Sequence, residues 1–316
     1  MEGEKTEKRA SLTASSFRMK LHKICETDFS STAKLRRIIG RGNDISGIMK
    51  PSQIKCVVLQ NDKLKIMENI KKHNLSFVEK FTGNDNVESI LVAKELVDNL
   101  FFDMAKLCTK YSNESFCDLP YTYRERQLDS VLLPALSKLC NSIVMAELPV
   151  KRECNNRHFN IEESSGRLDY WCIYKGYSFV IELKHSYDCF TTSNTREGVV
   201  TERWLKMNEQ LQSLDKEIKH YEENTKGVIK IGLHIVTSYS DKRPNNQLLL
   251  QFQDSIPLTF ERMEKDLCKR KTSLKPNLMI CWKIPKKIVF NSEHTFPGLW
   301  GFAKIYSAIK HKGSIK

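Results

Sequence analysis

The chain has no apolar run approaching the ~18 residues that would cross a bilayer, which sets aside a membrane-spanning helix. Its first residues, MEGEKTEKRASLTASS, hold no apolar core of the kind that marks a secretory signal. A cytoplasmic location, away from membranes, is the expectation. Cysteine is plentiful but unpatterned: the ten cysteines are scattered and none forms a C-x-x-C pair. Zinc sites usually carry closely paired ligands. Here Cys154 with His158, and His185 with Cys189, are only lone pairs four residues apart. Reduced, mostly buried thiols are therefore expected in place of a zinc site or a disulfide framework. No internal repeat is visible.

Negative charge is in deficit. Fifty-one Lys and Arg against 38 Asp and Glu leave a formal net charge of +13, with an isoelectric point near 9.2. A field of that sign attracts polyanions, and nucleic acid is the commonest. With 316 residues, 40% of them hydrophobic, the chain can build one large domain or two modest ones around a sizeable core.

Residues 1–20 are polar, charged and aperiodic, so a flexible basic tail is expected. Over 21–115 the pattern predicts a mainly helical region. Its clearest stripe is Ile90, Ala93, Val97, Leu100, Phe101, Met104, Leu107 and Cys108, spaced by threes and fours. Polar residues and Pro120 then mark a break, where a domain boundary is expected, with a second domain over 116–316. Leu128, Leu132, Ala135 and Leu139 predict a helix over 123–140, with Pro134 inside it. Strands are expected over 142–150, 168–174, 177–183, 227–237 and 278–284. Helices are expected over 202–221, from Trp204, Met207, Leu211 and Leu214, and near 254–269. The basic residues Lys304, Lys310, Lys312 and Lys316 read as a solvated C-terminal tail. Elements in this order make a mixed α/β fold, with helices packed on a central sheet.

The chemistry concentrates in one hairpin. With Lys175-Gly176 as a two-residue turn, paired positions set Tyr174 against Tyr177, Cys172 against Phe179, and Asp169 against Glu182. Alternation puts Phe179, Ile181 and Leu183 on one face and Glu182, Lys184 and Asp169 on the other. Directly opposed carboxylates, their Cβ atoms ~5 Å apart, repel each other. Lys184 can offset part of that, and a divalent cation more. Magnesium favours one or two carboxylates with water and phosphate oxygens.

These residues resemble the PD-(D/E)XK nuclease superfamily, which includes many restriction endonucleases. The match is Asp169 in GRLDYW, followed after a short hairpin by Glu182-Leu183-Lys184 in VIELKHS. The proline that names the motif is absent, since Leu168 precedes Asp169. The resemblance covers 120–285 by element order and implies a restriction-endonuclease-like core. It also implies that Asp169 and Glu182 hold magnesium or manganese, that the Leu183 carbonyl assists, and that Lys184 serves the attacking water. An acid from the helix before the sheet is implied as well. Glu125 is that candidate, with Asp129 the poorer alternative. Thr122-Tyr123-Arg124-Glu125 also fits a capping box, in which Glu125 would bond back to the cap. A polar residue on the helix after the E-x-K strand falls on Gln210 or Gln212. Arg167, Arg203 and Lys206 are placed to meet phosphates, and His185 is read as structural.

The expected function is magnesium-dependent cleavage of nucleic acid, DNA before RNA, of a restriction or defence type. The alternatives are a basic nucleic-acid-binding protein without catalysis, and a protein–protein interaction module. The oligomeric state is open, although a homodimer is the easiest arrangement for cutting two strands.

Overall fold

The computed structural model describes residues 56–58, 65–72, 74–113, 119–154, 162–191, 197–214, 221–286 and 294–309. The chain divides into two compact units, Met1–Ile54 and Lys55–Lys316, and every described residue belongs to the second. The tail expected over 1–20, together with Lys310, Lys312 and Lys316, lies outside the described residues.

Nine strands are described, and they make one sheet. They are β1 (Cys56–Val58), β2 (Lys65–Lys72), β3 (Leu75–Phe81), β4 (Val144–Cys154), β5 (Glu162–Tyr174), β6 (Tyr177–Cys189), β7 (Val228–Ser240), β8 (Leu278–Lys283) and β9 (Thr295–Ile305). Their order is β1-β2-β3-β8-β9-β7-β6-β5-β4. Only β6 and β7 pair in parallel among the described strands; the other pairings are antiparallel.

Four α-helices are described: α1 (Glu88–Asn113), α2 (Glu125–Leu139), α3 (Glu197–Gln212) and α4 (Asn246–Cys268). Parallel neighbours need a crossover, and α3 lies in the one between β6 and β7. The expected stripe on α1 is buried from Ile90 to Cys108, apart from half-buried Leu107. That stripe and α2's Leu128, Leu132 and Ala135 pack on Phe179, Ile181, Leu183, Ile231 and Ile280. On the opposite face, Trp204 and Met207 of α3 join Phe252, Ile256 and Phe260 of α4 over Val236, Trp300 and Phe302. The result is a sheet with a pair of helices against each face. No helix of the described residues is long and apolar enough to cross a membrane.

Several expectations change. The break near 115 does not separate two units, because β3 pairs with β8 and Phe77 shares a core with Tyr170 and Ile181. The polar backbone on the outer edge of β8 needs a partner, and the chain before the break supplies it. The described part of 21–115 is not helical throughout: its one helix, the 26-residue α1, follows the strands β1, β2 and β3. The sequence of β2, KIMENIKK, carries charges that fit neither period cleanly. α3 starts earlier than expected and ends at Gln212, while 215–220 lie outside the described residues. Lys304 is not in a tail: it stands in β9, its Nζ donating to the Lys275 carbonyl at 3.1 Å. β9 escapes pattern reading because Gly298 and Gly301 interrupt it. A Cβ at either would press into the rings of Phe252 or Phe101, so these gaps are filled by aromatics from α4 and α1. Cys108, Cys140, Cys172, Cys189 and Cys281 are free and buried, and Cys268 is free and half-buried.

His234 of β7 is fully buried and stacked on Trp204, with Nε2 on Ser186 Oγ at 2.8 Å. Burial, then the nearby charges, pulls its pKa down to about 3; burial does the same to His185. Both rings are neutral in the fold, so below their ordinary value near 6.5 the unfolded chain binds the extra protons. Each histidine should therefore remove ~1.4 kcal/mol of stability per pH unit as pH falls from 6.5 towards 3. The raised carboxyl of Glu182 acts in the opposite sense, so the effect is read as a difference: in urea unfolding across that range His234→Gln should lose less stability than the parent, by about 1.4 kcal/mol per pH unit. An unchanged slope in the variant would contradict this assignment.

Candidate active site

The site forms where β5 and β6 part. Lys175 and Gly176 both take positive φ, 49° and 80°, as a two-residue turn of mirror-image type requires. Lys175 tolerates this in a turn held from outside. Its ammonium binds Glu95 at 2.6 Å, and the Gly176 carbonyl accepts the Lys226 N–H at 2.7 Å. The register is the expected one from Tyr174–Tyr177 through Cys172–Phe179 to Tyr170–Ile181, where the ladder stops. The pairing of β4 with β5 also skips Asp169, and Glu147 opposite it has a φ of 54°.

Beyond this fork the outward N–H groups of β6 have no strand to meet. Carboxylates take that place. Asp169 Oδ2 accepts the Leu183 N–H at 2.6 Å, and Glu125 Oε2 accepts the His185 N–H at 2.9 Å. Glu125 is the first residue of α2 and not its cap. The N-cap is Arg124, without a side-chain cap bond, and the Thr122 hydroxyl donates to the Leu119 carbonyl. The capping box is thus replaced by a bond across to the sheet.

The third acid, Glu182, is 1% exposed. Lys184 Nζ lies 3.5 Å from Glu182, 3.7 Å from Asp169 and 3.8 Å from Glu125, and donates to the Leu183 carbonyl at 2.6 Å. One ammonium therefore faces three carboxylates. Burial, then the charge of Asp169, pushes the Glu182 carboxyl up to about 7; Lys184 and Arg152 oppose the shift. Burial also raises Asp169 and Glu125, again against the pull of Lys184.

Arg152 is the residue the sequence did not disclose. It lies past the end of the strand expected over 142–150, but β4 runs through to Cys154 and carries it into the sheet. Its guanidinium bonds Glu182 at 3.1 Å, the Arg167 carbonyl at 2.5 Å and the Gln210 carbonyl at 2.7 Å. The side chain passes directly over Gly166, where a Cβ would lie 2.8 Å from Arg152 Cδ. An isolated glycine inside a strand is the available signal of such a close approach.

The remaining candidates divide. Arg203 joins the site edge by donating to the His185 carbonyl. His185 turns away from Lys184, buried with its Nε2 at 2.9 Å from Thr237 Oγ1. Gln210 gives its backbone carbonyl to Arg152, while its own Oε1 is buried without a hydrogen-bond partner. Gln212 is exposed. Arg167 is exposed and pairs with Glu147 at 3.1 Å. Lys206 is exposed on α3. Asp129 accepts the Tyr170 hydroxyl and takes no part with Lys184.

Among the described residues, no three His, Cys, Asp or Glu side chains are gathered closely enough to ligate one ion as they stand. The same neighbourhood nevertheless holds a cation, the Lys184 ammonium, on a carbonyl and beside three carboxylates. An all-oxygen donor set of this kind suits a hard divalent ion such as magnesium. The residues fit a metal, provided that the ammonium moves.

Two outcomes follow from this arrangement. Gly166→Val should displace Arg152 and leave Glu182 buried without its guanidinium, lowering the melting temperature through a loss of roughly 3 kcal/mol; an unaltered melting temperature would contradict that link. Lys184→Met should melt lower than the parent in EDTA and regain more on adding manganese, measured by differential scanning fluorimetry. Equal manganese responses would show that the ammonium is not holding a cation's place. Comparison with known proteins finds no matching family model, no matching curated protein and no matching solved structure.

Proposed function

We propose that this chain is a magnesium-dependent nuclease that hydrolyses phosphodiester bonds of nucleic acid, DNA before RNA, in a restriction or defence role. The observation that carries this reading is the ring of Glu125, Asp169 and Glu182 around one ammonium at the fork of β5 and β6. The element order α2, β4, β5, β6, α3, β7 supports a restriction-endonuclease-like core, and the charge of +13 supports a polyanionic substrate.

Asp169, Glu182 and the Leu183 carbonyl would hold magnesium or manganese. The bound ion would neutralise charge developing on the phosphate and acidify a bound water. Lys184, once off the Leu183 carbonyl, orients the attacking water and faces the phosphate. Arg152 aims Glu182 and counters part of the burial that favours its protonated form. Glu125 holds the strand edge through the His185 N–H. Arg203 and Lys206, on the helix after β6, would meet the phosphates of a nucleic-acid strand. Cutting both strands calls for a second site, which a homodimer supplies.

Binding without cleavage is the second reading, favoured by Lys184 resting on the carbonyl a metal would need. Plasmid and labelled oligonucleotides separate the two. Cleavage should require magnesium, stop in EDTA, and fall by at least ~100-fold in Asp169→Asn and in Lys184→Met. Metal-independent cleavage, or full activity in both variants, contradicts the nuclease reading. Salt-sensitive binding with no cleavage selects the second one.

A further inference from the structure

A second polar feature lies on the α3–α4 face of the sheet, away from the fork. Register aligns Lys71 of β2, Ser76 of β3, Lys283 of β8 and Gly298 of β9 as successive partners. Partners in a row point to one side, so the two lysines flank Ser76 at two strand spacings, about 10 Å. The ring of Phe252 from α4 lies over Gly298, the space that a side chain there would fill. Between these walls is a cavity of about 650 Å³, whose charged lining among the described residues is Lys71, Lys283 and Lys286, with no carboxylate.

Lys286 donates to Asn246 Oδ1 at 2.8 Å. Among the described residues, Lys71 and Lys283 have neither an ion pair nor a side-chain hydrogen bond. Two ammoniums facing one cavity without a counter-charge repel each other. Burial, with Lys71 adding to it, disfavours the charged form of Lys283. A single carboxylate would leave most of this charge unmatched, whereas a phosphate brings up to two negative charges, and lysine binds it as a point charge. The opposite wall is apolar, made by Phe252, Leu249 and Pro285. Pockets for small ligands commonly span ~300–1,000 Å³ and combine an apolar wall with a few placed polar groups.

We propose that this cleft binds a nucleotide, its phosphates against Lys71 and Lys283 and its base against the wall of Phe252, Leu249 and Pro285. The nucleotide comes either free or as the 5′-phosphorylated end of a strand. By strand rise and spacing the cleft is on the order of 25 Å from Glu182 and on the same face, so it is a separate site. The inference stands on the cavity and its charge and does not depend on cleavage at the fork.

The test uses the full chain in EDTA, with a fluorescent methylanthraniloyl-dATP as probe. Saturable binding is expected, weakened at least about tenfold by Lys71→Glu and by Lys283→Gln. Lys71 is exposed, so its variant keeps the test valid if the Lys283 variant misfolds. Displacement by dATP identifies the free nucleotide as the source. Displacement only by a 5′-phosphorylated oligonucleotide, and not by its 5′-hydroxyl counterpart, identifies a strand end. Pyrophosphate competing as well as dATP would remove the base wall from the account and overturn the nucleotide assignment. So would the lack of saturable binding, or binding that both variants leave unchanged.

Discussion

The parting of β5 from β6 after the Tyr170–Ile181 pair governs everything at the centre of this protein. A strand that loses its neighbour in a buried place must find other acceptors for its N–H groups, because leaving one unmet costs about 1–3 kcal/mol. Here the acceptors are Asp169 and Glu125, which meet the N–H groups of Leu183 and His185. The substitution solves a backbone problem by importing charge. Glu182, on the same stretch of strand, adds a third carboxylate in a place with almost no solvent.

Like charges about 5 Å apart repel by roughly 3 kcal/mol at an effective dielectric of 20. Three carboxylates therefore demand cations, and two arrive from different directions. Lys184 stands among the three, and Arg152 reaches Glu182 from β4 by passing over Gly166. The ammonium also rests on the Leu183 carbonyl. Two cations thus stand against three carboxylates, and burial relieves part of the excess by raising the Glu182 carboxyl, while the donors are those a magnesium ion takes.

Much of this was legible in the sequence. The period of three and four residues located α1, α2 and most of α3, and alternation located β5, β6 and β7. The turn at Lys175-Gly176 set the register that brings Asp169 towards Glu182, although Lys175 is an unfavourable residue for positive φ. What escaped was non-local. β2 and β3 join the sheet only through β8, β9 is broken by glycines whose space belongs to distant aromatics, and the domain boundary dissolves once β3 is paired. Arg152 escaped for the same reason. Nothing near it in sequence shows that its guanidinium will meet a carboxylate 30 residues away. Glu125 shows the reverse case: local spacing offered a cap, and the tertiary structure used the side chain elsewhere.

The central claim is that the fork of β5 and β6 is built to exchange the Lys184 ammonium for a divalent ion. A crystal structure of the protein soaked in manganese, read by anomalous scattering, tests it most directly. The account predicts a peak bounded by Asp169, Glu182 and the Leu183 carbonyl, with Lys184 Nζ displaced from that carbonyl. No peak at the fork, with Lys184 still seated on Leu183, would contradict it.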